Sequence, residues 1–506
     1  MSTKSLYVQI CENLTQEGRL PRLFELPREA TAPNEMKFMV GAKDGIGVFH
    51  CNAKQPDKIA GEIVGYLKSG KTDMITPVVN KYGALGIIDA LLSAIRENAD
   101  KLDAAAIVQY AQTLAFESTD EELVKLGIAL LGLFDWSNAP EIQKKLITLG
   151  LYEEFTLYAT VAVGQWNNAN DVIFQIAKNV DGWGKIHAVE RLEPETEEIR
   201  RWILRDGCSN AVVDAYLGLE CAVKGDLISA LRNDEIDVDC FESISIIIDV
   251  LMDEGPVQGI SVYEHAEEAL FLYLKLAEAR AETLKHIWYV LNIETFLEDE
   301  DLEISNKEEL LRLCAEIKGR GVWHDKIMVA MTSPESENFS YANNVASRLG
   351  IDVTTQVFEA VKENPVKNQG YLAKAYRNPD YATELTVLLE KTLPLDEMAS
   401  GMDDYLLSPT HMQETGCLDF VLQELRSYPL LGELLVKTAL LSPVTRNRNG
   451  ACMVIDAWGE KLGQAVDAFS PTLHDVLKTV FVAEVNEDTK KRMAKLIREE
   501  RLTKDD

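Results

Sequence analysis

Positive charge is scarce in this sequence. It contains 51 Lys and Arg residues against 82 Asp and Glu, which gives a formal net charge of −31 and a pI near 4.7. Such a field repels phosphate backbones and anionic lipid surfaces, so neither nucleic acid nor a membrane surface is an expected partner. Excess acid on the outer surface also keeps a protein soluble, which is the simplest explanation of the charge.

Long apolar runs and paired cysteines are missing as well. No stretch reaches the ~18 apolar residues that a membrane span needs, and the first residues lack the apolar block of a signal peptide. The 8 cysteines are scattered, without a Cys-x-x-Cys pair or a metal-ligand spacing. These absences predict reduced cysteines, a cytoplasmic location, and no metal or cofactor.

Motifs of the common enzyme classes are also absent. The sequence has no G-x-S-x-G elbow, no H-E-x-x-H pair and no dinucleotide fingerprint. Hydrolase, zinc-protease and Rossmann interpretations therefore have no local support, and the balance leans against an enzyme.

Helical periodicity is what the sequence does contain, most completely between Ser118 and Gly150. Ser118 and Glu121 have the spacing of a capping box, and the residues that follow are apolar on nearly every side. Pro140 predicts the first turn of a second helix, which Gly150 ends. Such a pair cannot bury its own apolar faces, so we expect similar pairs stacked on either side.

Helical segments continue from Asp57 to Ala483 without a βαβ alternation. Residues 1–56 are predicted to be less regular, and residues 37–50 fit either a hairpin or a weak helix. An acidic block at residues 298–306 divides the helical run. We therefore predict a first helical half at 57–297 and a second at 307–506.

Two segments share a basic residue, an alanine three positions on and an aliphatic residue four further. This pattern resembles the inter-helix turn and second helix of HEAT repeats; the matching residues are Lys185, Ala188 and Leu192 in one segment and Arg448, Ala451 and Ile455 in the other. The repeat is degenerate, since Ile128 stands where the alanine belongs after Lys125. The resemblance implies an all-α, right-handed α-solenoid of stacked helix pairs, roughly ten to twelve for this length. Arg446 and Arg448 are then expected to join stacked repeats.

Residues Gly65 to Thr72 match the phosphate-loop pattern G-x-x-x-x-G-K-[ST]. The residues before Gly65 recur at helical spacing, which predicts that Gly65 lies inside a helix and that Gly70 caps it. A similar argument places the Walker-B-like residues Ile246 to Asp249 on a helix. Gly70, Lys71 and Thr72 therefore remain only weak candidates for a nucleotide site.

A second cluster combines aromatic and charged residues. Trp183, His187 and Glu190 are spaced to lie on one side of a helix, and the following segment adds basic and aromatic residues. We predict a partner-binding site formed by Trp183, His187, Glu190, Arg191, Arg201, Trp202 and Arg205. A base at His187 with Glu190 is a weaker catalytic candidate, and ion pairs between helices are the simplest alternative.

These observations rank three functions. The leading hypothesis is a cytoplasmic scaffold that binds a protein or peptide along the concave face of a solenoid. The alternatives are an enzyme that holds a small ligand around His187 and Glu190, and a nucleotide-dependent switch at Gly65 to Thr72. The identity of the partner and the oligomeric state stay open.

Overall fold

The computed structural model describes residues 4–21, 24–27, 38–51, 57–233, 236–255, 257–299, 304–401, 403, 405, 408 and 410–497. Within these residues the chain is all-helical and forms no strand, which confirms the all-α prediction. No helix in the described part combines the length and apolar composition of a membrane-spanning segment.

The first seventeen helices extend to residue 297. They are α1 (Leu6–Asn13), α2 (Ala42–His50), α3 (Asp57–Ser69), α4 (Ile75–Tyr82), α5 (Ile88–Glu97), α6 (Ala104–Glu117), α7 (Glu121–Leu131), α8 (Pro140–Gly150), α9 (Glu153–Val163), α10 (Ala169–Ala177), α11 (Gly182–Arg191), α12 (Glu197–Trp202), α13 (Ala215–Lys224), α14 (Leu227–Leu231), α15 (Val238–Leu251), α16 (Ala266–Arg280) and α17 (Leu284–Leu297).

Thirteen further helices follow among the described residues. They are α18 (Lys307–Lys318), α19 (Val322–Ala330), α20 (Glu337–Leu349), α21 (Thr354–Glu363), α22 (Leu372–Ala375), α23 (Pro379–Thr392), α24 (Leu395–Met398), α25 (Met412–Leu425), α26 (Glu433–Leu440), α27 (Thr445–Leu462), α28 (Val466–Phe469), α29 (Pro471–Ala483) and α30 (Glu487–Ile497).

The chain divides into two compact units. Unit 1 comprises residues 1–30, 37–281 and 289–317, and unit 2 comprises 31–36, 282–288 and 318–506. The predicted boundary at 298–306 stays a prediction, because residues 300–303 lie outside the described part of the chain.

The predicted helix pair around residue 130 forms as α7 and α8, with one correction at its start. Asp120, not Ser118, caps α7: its carboxylate accepts hydrogen bonds from the Glu122 and Leu123 amides at 2.9 and 3.2 Å. A carboxylate is favoured over a hydroxyl there because it also interacts with the positive end of the helix dipole. Pro140 opens α8 and Gly150 ends it, as predicted.

Alternate helices of unit 1 pack side by side. Helices α7, α9, α11, α13 and α15 form a row in which each contacts the next, while α8 and α10 also contact each other and the helices that follow them. We call the five helices α7, α9, α11, α13 and α15 the α7–α15 row. Residues 124–131 of α7 are all buried, because α6 packs against this helix as well as α9, which explains why its sequence is apolar on nearly every side.

In unit 2, the basic residues of α27 join neighbouring elements. Arg448 is fully buried and pairs with Glu484, the residue that follows α29. Arg446 pairs with Asp419 on α25. Both arginines therefore join elements that are separate along the chain; that these elements are stacked repeats stays a prediction.

Candidate functional site

Helix α11 carries the first part of the predicted site. Asp181 caps it by accepting from the Gly182 amide at 2.8 Å. Trp183 and His187 then lie one turn apart on the same face, with ring centroids 6.2 Å apart. Both are buried, at 5% and 1% exposed. The two rings lie together, as helical spacing predicts, but their burial keeps them from contacting a ligand in this arrangement.

Helix α2 covers these two side chains. Its Phe49 ring lies 5.9 Å from Trp183, 6.3 Å from His187 and 4.7 Å from Tyr216. His50 Nε2 is 2.6 Å from the Tyr216 hydroxyl. Of residues 37–50, which fit either a hairpin or a weak helix, Ala42–His50 form a helix, and its carboxyl end completes an aromatic cluster. Residues 38–41 are not helical, and Lys37 lies outside the described residues.

The imidazole of His187 has no hydrogen-bond partner among the described residues, although both of its nitrogens are buried. Its Nδ1 lies 3.6 Å from Glu190 Oε2, which is too long for a hydrogen bond. Arg191 contacts the same carboxylate oxygen: its Nη1 lies 3.4 Å from Glu190 Oε2 and donates to the His187 carbonyl at 2.8 Å. The candidate base and its acid are therefore not aligned for proton transfer.

A buried charge network holds the other end of α2. The Lys125 ammonium of α7 lies 2.7 Å from Asp44, 2.6 Å from Glu154 and 3.2 Å from Glu122. Burial lowers the pKa of Lys125, but the surrounding carboxylates outweigh this effect and raise it. The Tyr158 hydroxyl also donates to Asp44 at 2.8 Å. This lysine is therefore permanently charged inside the protein.

A third contact of α2 depends on glycine. The Gly41 amide donates to Glu154 Oε2 at 2.7 Å. A Cβ atom at Gly45 would lie 2.1 Å from the Trp183 ring. Glycine at this position lets the α2 backbone lie directly against the indole.

Sequence reasoning missed the α2 contacts. Two signals could have indicated them: a lysine in the otherwise apolar run of α7, which needs buried partners, and glycines four residues apart at Gly41 and Gly45, which permit close helix approach.

The second part of the predicted site lies elsewhere on unit 1. Arg201, Trp202 and Arg205 line a cleft of about 740 Å³ formed by α12, the π-helical turn Ile203–Gly207, α14 and the start of α15. We call it the α12–α15 cleft. Its remaining lining residues are Glu197, Arg200, Leu204, Asp206, Gly225, Asp226, Ser229, Ala230, Asn233, Ile236, Asp237 and Cys240.

The arginines of the α12–α15 cleft are exposed and paired. The Arg201 side chain is 72% exposed, with Nε 2.8 Å from Glu197, and Arg205 is 38% exposed and pairs with Asp237. Trp202 is half-buried, with Lys185 Nζ 5.7 Å from its ring centre. The predicted cluster thus separates into Trp183 and His187, buried under α2, and an accessible set in the cleft. Glu190 and Arg191, at 28% and 30% exposed, belong to neither.

The phosphate-loop match has the geometry of a helix end. Gly65 lies inside α3, and Gly70 follows that helix with a φ of +67°. The Lys71 amide donates back to the Tyr66 carbonyl at 3.0 Å. The prediction that Gly70 is a cap is confirmed. The Walker-B-like segment likewise lies within α15, where burial raises the pKa of Asp249 to about 6.

No protein-family model matches the sequence, and a search of curated proteins finds no match to it. In the part of the chain that the structure describes, no three His, Cys, Asp or Glu side chains converge as a metal site.

Proposed function

We propose that this chain is a cytoplasmic scaffold built as a right-handed superhelix of degenerate HEAT-like helix pairs, which binds a protein or peptide. The α7–α15 row supports the architecture, because helices that alternate along the chain contact each other in turn, as stacked pairs do. The eight cysteines of the protein are all free thiols, which agrees with a reducing location.

The α12–α15 cleft is the observation that carries the binding proposal. Its volume of about 740 Å³ is within the range of ligand sites, and it presents an indole beside two exposed guanidinium groups. Tryptophan and arginine contribute most of the binding energy in many interfaces. Arg201 and Arg205 are already paired with Glu197 and Asp237. A partner that takes over these ion pairs therefore needs acidic groups for the arginines and basic groups for the released carboxylates.

The test compares Arg201→Ala/Arg205→Ala with wild type in affinity capture from cytoplasmic extract. We expect a defined set of proteins to be lost from the variant. The control is Lys275→Ala/Arg312→Ala, two exposed, ion-paired cations outside the cleft, which should retain that set. Identical capture by all three proteins would exclude the cleft as the binding site.

A thermal-shift screen separates this proposal from the nucleotide switch. A scaffold should show no shift with MgATP, metals or metabolites. A shift of several degrees with MgATP that disappears in Lys71→Ala would replace the scaffold with the nucleotide hypothesis.

A further inference from the structure

Helix α2 buries Asp44 and Gly45 and exposes its aliphatic residues Ile46 and Val48. Asp44 is 5% exposed, and Gly41 and Gly45 are buried, whereas Ile46 and Val48 are 37% and 44% exposed. A helix that forms part of a hydrophobic core has the opposite pattern. Ion pairs, hydrogen bonds and close backbone approach therefore hold α2 to unit 1, with little contribution from aliphatic burial.

The surface beneath α2 does not need α2 for its own construction. Helices α7, α9, α11 and α13 contact one another within the α7–α15 row. Lys125 keeps two carboxylates from that row, Glu154 at 2.6 Å and Glu122 at 3.2 Å, when Asp44 is taken away. The buried ammonium thus stays paired after α2 leaves, and the surface avoids the penalty of an isolated buried charge.

Helix α2 is also a weak helix away from this surface. It has nine residues, two of them glycine, and Gly41 precedes them. Isolated helices of this length are unstable in water, and glycine disfavours them further. Docking and helix formation by α2 are therefore coupled, as in segments that fold on binding.

The surface fits a definite sequence pattern. Neighbouring residues Lys43 and Asp44 meet Glu122 at 3.8 Å and Lys125 at 2.7 Å, so each charge faces its opposite. Gly41 and Gly45 leave space for the Trp183 side chain, and Phe49, one turn further, packs against it. The complementary ligand is a helix preceded by a glycine at position 1, as Gly41 precedes α2 with a φ of +72°, with a small residue at position 5, an acid at position 4 and an aromatic residue at position 9.

We propose that the surface formed by Lys125, Glu154, Tyr158, Trp183 and Tyr216 is a helix-binding groove, that α2 is its resident occupant, and that a partner helix with this pattern displaces α2. The groove is separate from the α12–α15 cleft and does not rest on it. The imidazole of His187, which α2 leaves without a hydrogen bond, is a polar group that a competing helix can use.

The first test uses Gly45→Leu in the full chain. A side chain at this position cannot fit against Trp183, so α2 undocks and the groove becomes vacant. The probe is a fluorescent peptide of residues 38–50, followed by anisotropy. We expect the variant to bind the peptide at least about tenfold more tightly than wild type. In wild type α2 occupies the groove, so the apparent affinity is the intrinsic affinity multiplied by the fraction of molecules whose groove is vacant.

Two controls define specificity. Gly61→Leu, at an exposed glycine of α3 with open space around it, should bind the peptide no better than wild type. A peptide with Asp44→Lys should not bind Gly45→Leu, because it places a second ammonium against Lys125. Equal binding of the unchanged peptide to wild type, Gly45→Leu and Gly61→Leu, or binding to none of these three proteins, would overturn the proposal.

The second test uses wild type alone. Amides of α2 should exchange with deuterium at least about tenfold faster than those of α9 and α11, because α2 opens while the row stays folded. Equal protection of α2 and α9 would make α2 an integral part of the unit and overturn the proposal. Gly45→Leu should still unfold cooperatively. Loss of cooperative unfolding in this variant would also overturn the proposal, because it would mean that the groove does not form without α2.

Discussion

The ion pair between Arg448 and Glu484 gives the sharpest prediction on stability, because neither side chain has any exposed surface. Arg448 Nε and Nη2 donate to Glu484 at 2.7 and 2.8 Å, and Nη1 donates to the Ser442 and Asp403 carbonyls at 2.9 and 2.8 Å. Replacing Glu484 with Gln leaves a guanidinium buried without a counter-charge. Removing one partner of such a pair costs about 3–5 kcal/mol.

That free energy converts to a measurable shift. For a unit of about 150–250 residues, each kcal/mol lowers the melting temperature by about 2–4 °C, so Glu484→Gln should lower it by about 6–20 °C. The assay is calorimetry of the full chain, with hydrogen exchange of α27 amides assigning the loss to unit 2. The double variant Glu484→Gln/Arg448→Met should be clearly more stable than the sum of its single changes predicts, because it leaves no isolated charge.

An exposed pair in the same unit is the matched control. Glu384 lies 2.5 Å from Lys362, and both side chains are about half exposed, at 51% and 44%. Glu384→Gln should cost no more than about 1 kcal/mol. A cost below about 1 kcal/mol for Glu484→Gln, or additive effects in the double variant, would refute the reasoning from buried charge.

Two further predictions concern unit 1. Burial, together with the charge of Asp181, raises the pKa of Glu153 from 4.5 to about 7. The native state therefore holds this proton more tightly than the unfolded chain, and the free energy of unfolding falls as pH rises from about 4.5 to 7. In urea titrations, Glu153→Gln should be more stable than wild type by up to about 3 kcal/mol at pH 8, with no difference near pH 4.5; a constant difference across this range would contradict it. Gly65→Ala should stabilise α3 by up to about 1 kcal/mol, because this glycine lies exposed inside a helix. Gly70→Ala should instead destabilise by about 1–2 kcal/mol because of its positive φ, and thermal melts showing the same sign for both would contradict the helix-cap geometry.

Local signals in the sequence predicted local structure well. Apolar spacing and Gly70 are enough to distinguish a helix end from a phosphate loop, because both signals are local: the apolar residues lie in α3 itself and Gly70 follows it directly. The start of α7 was misplaced by two residues because Ser118 and Asp120 are both good caps, and the choice depends on the path of the chain before them.

The site was predicted only in part, for a physical reason. Helical spacing placed Trp183 and His187 together, but spacing does not reveal what covers a helix face. Their cover, Phe49, is more than 130 residues earlier in the chain, and its helix docks through glycine and charge, not through an apolar stripe. Arg201 and Arg205 of the predicted site are exposed; helical spacing accounts for the pairing of Arg201 with Glu197 four residues earlier, but not for that of Arg205 with Asp237.

The π-helical turn at Ile203–Gly207 has a consequence for how the α12–α15 cleft can change in evolution. A π turn holds one more residue than an α turn, so loss of a single residue within it restores a regular helix. Each residue of an α-helix turns the chain by about 100°, so loss of Ile203 or Leu204, which lie between the two, would turn Arg205 relative to Trp202. Loss of one codon at either position would therefore redirect the charged wall of the cleft while the flanking helices kept their sequences.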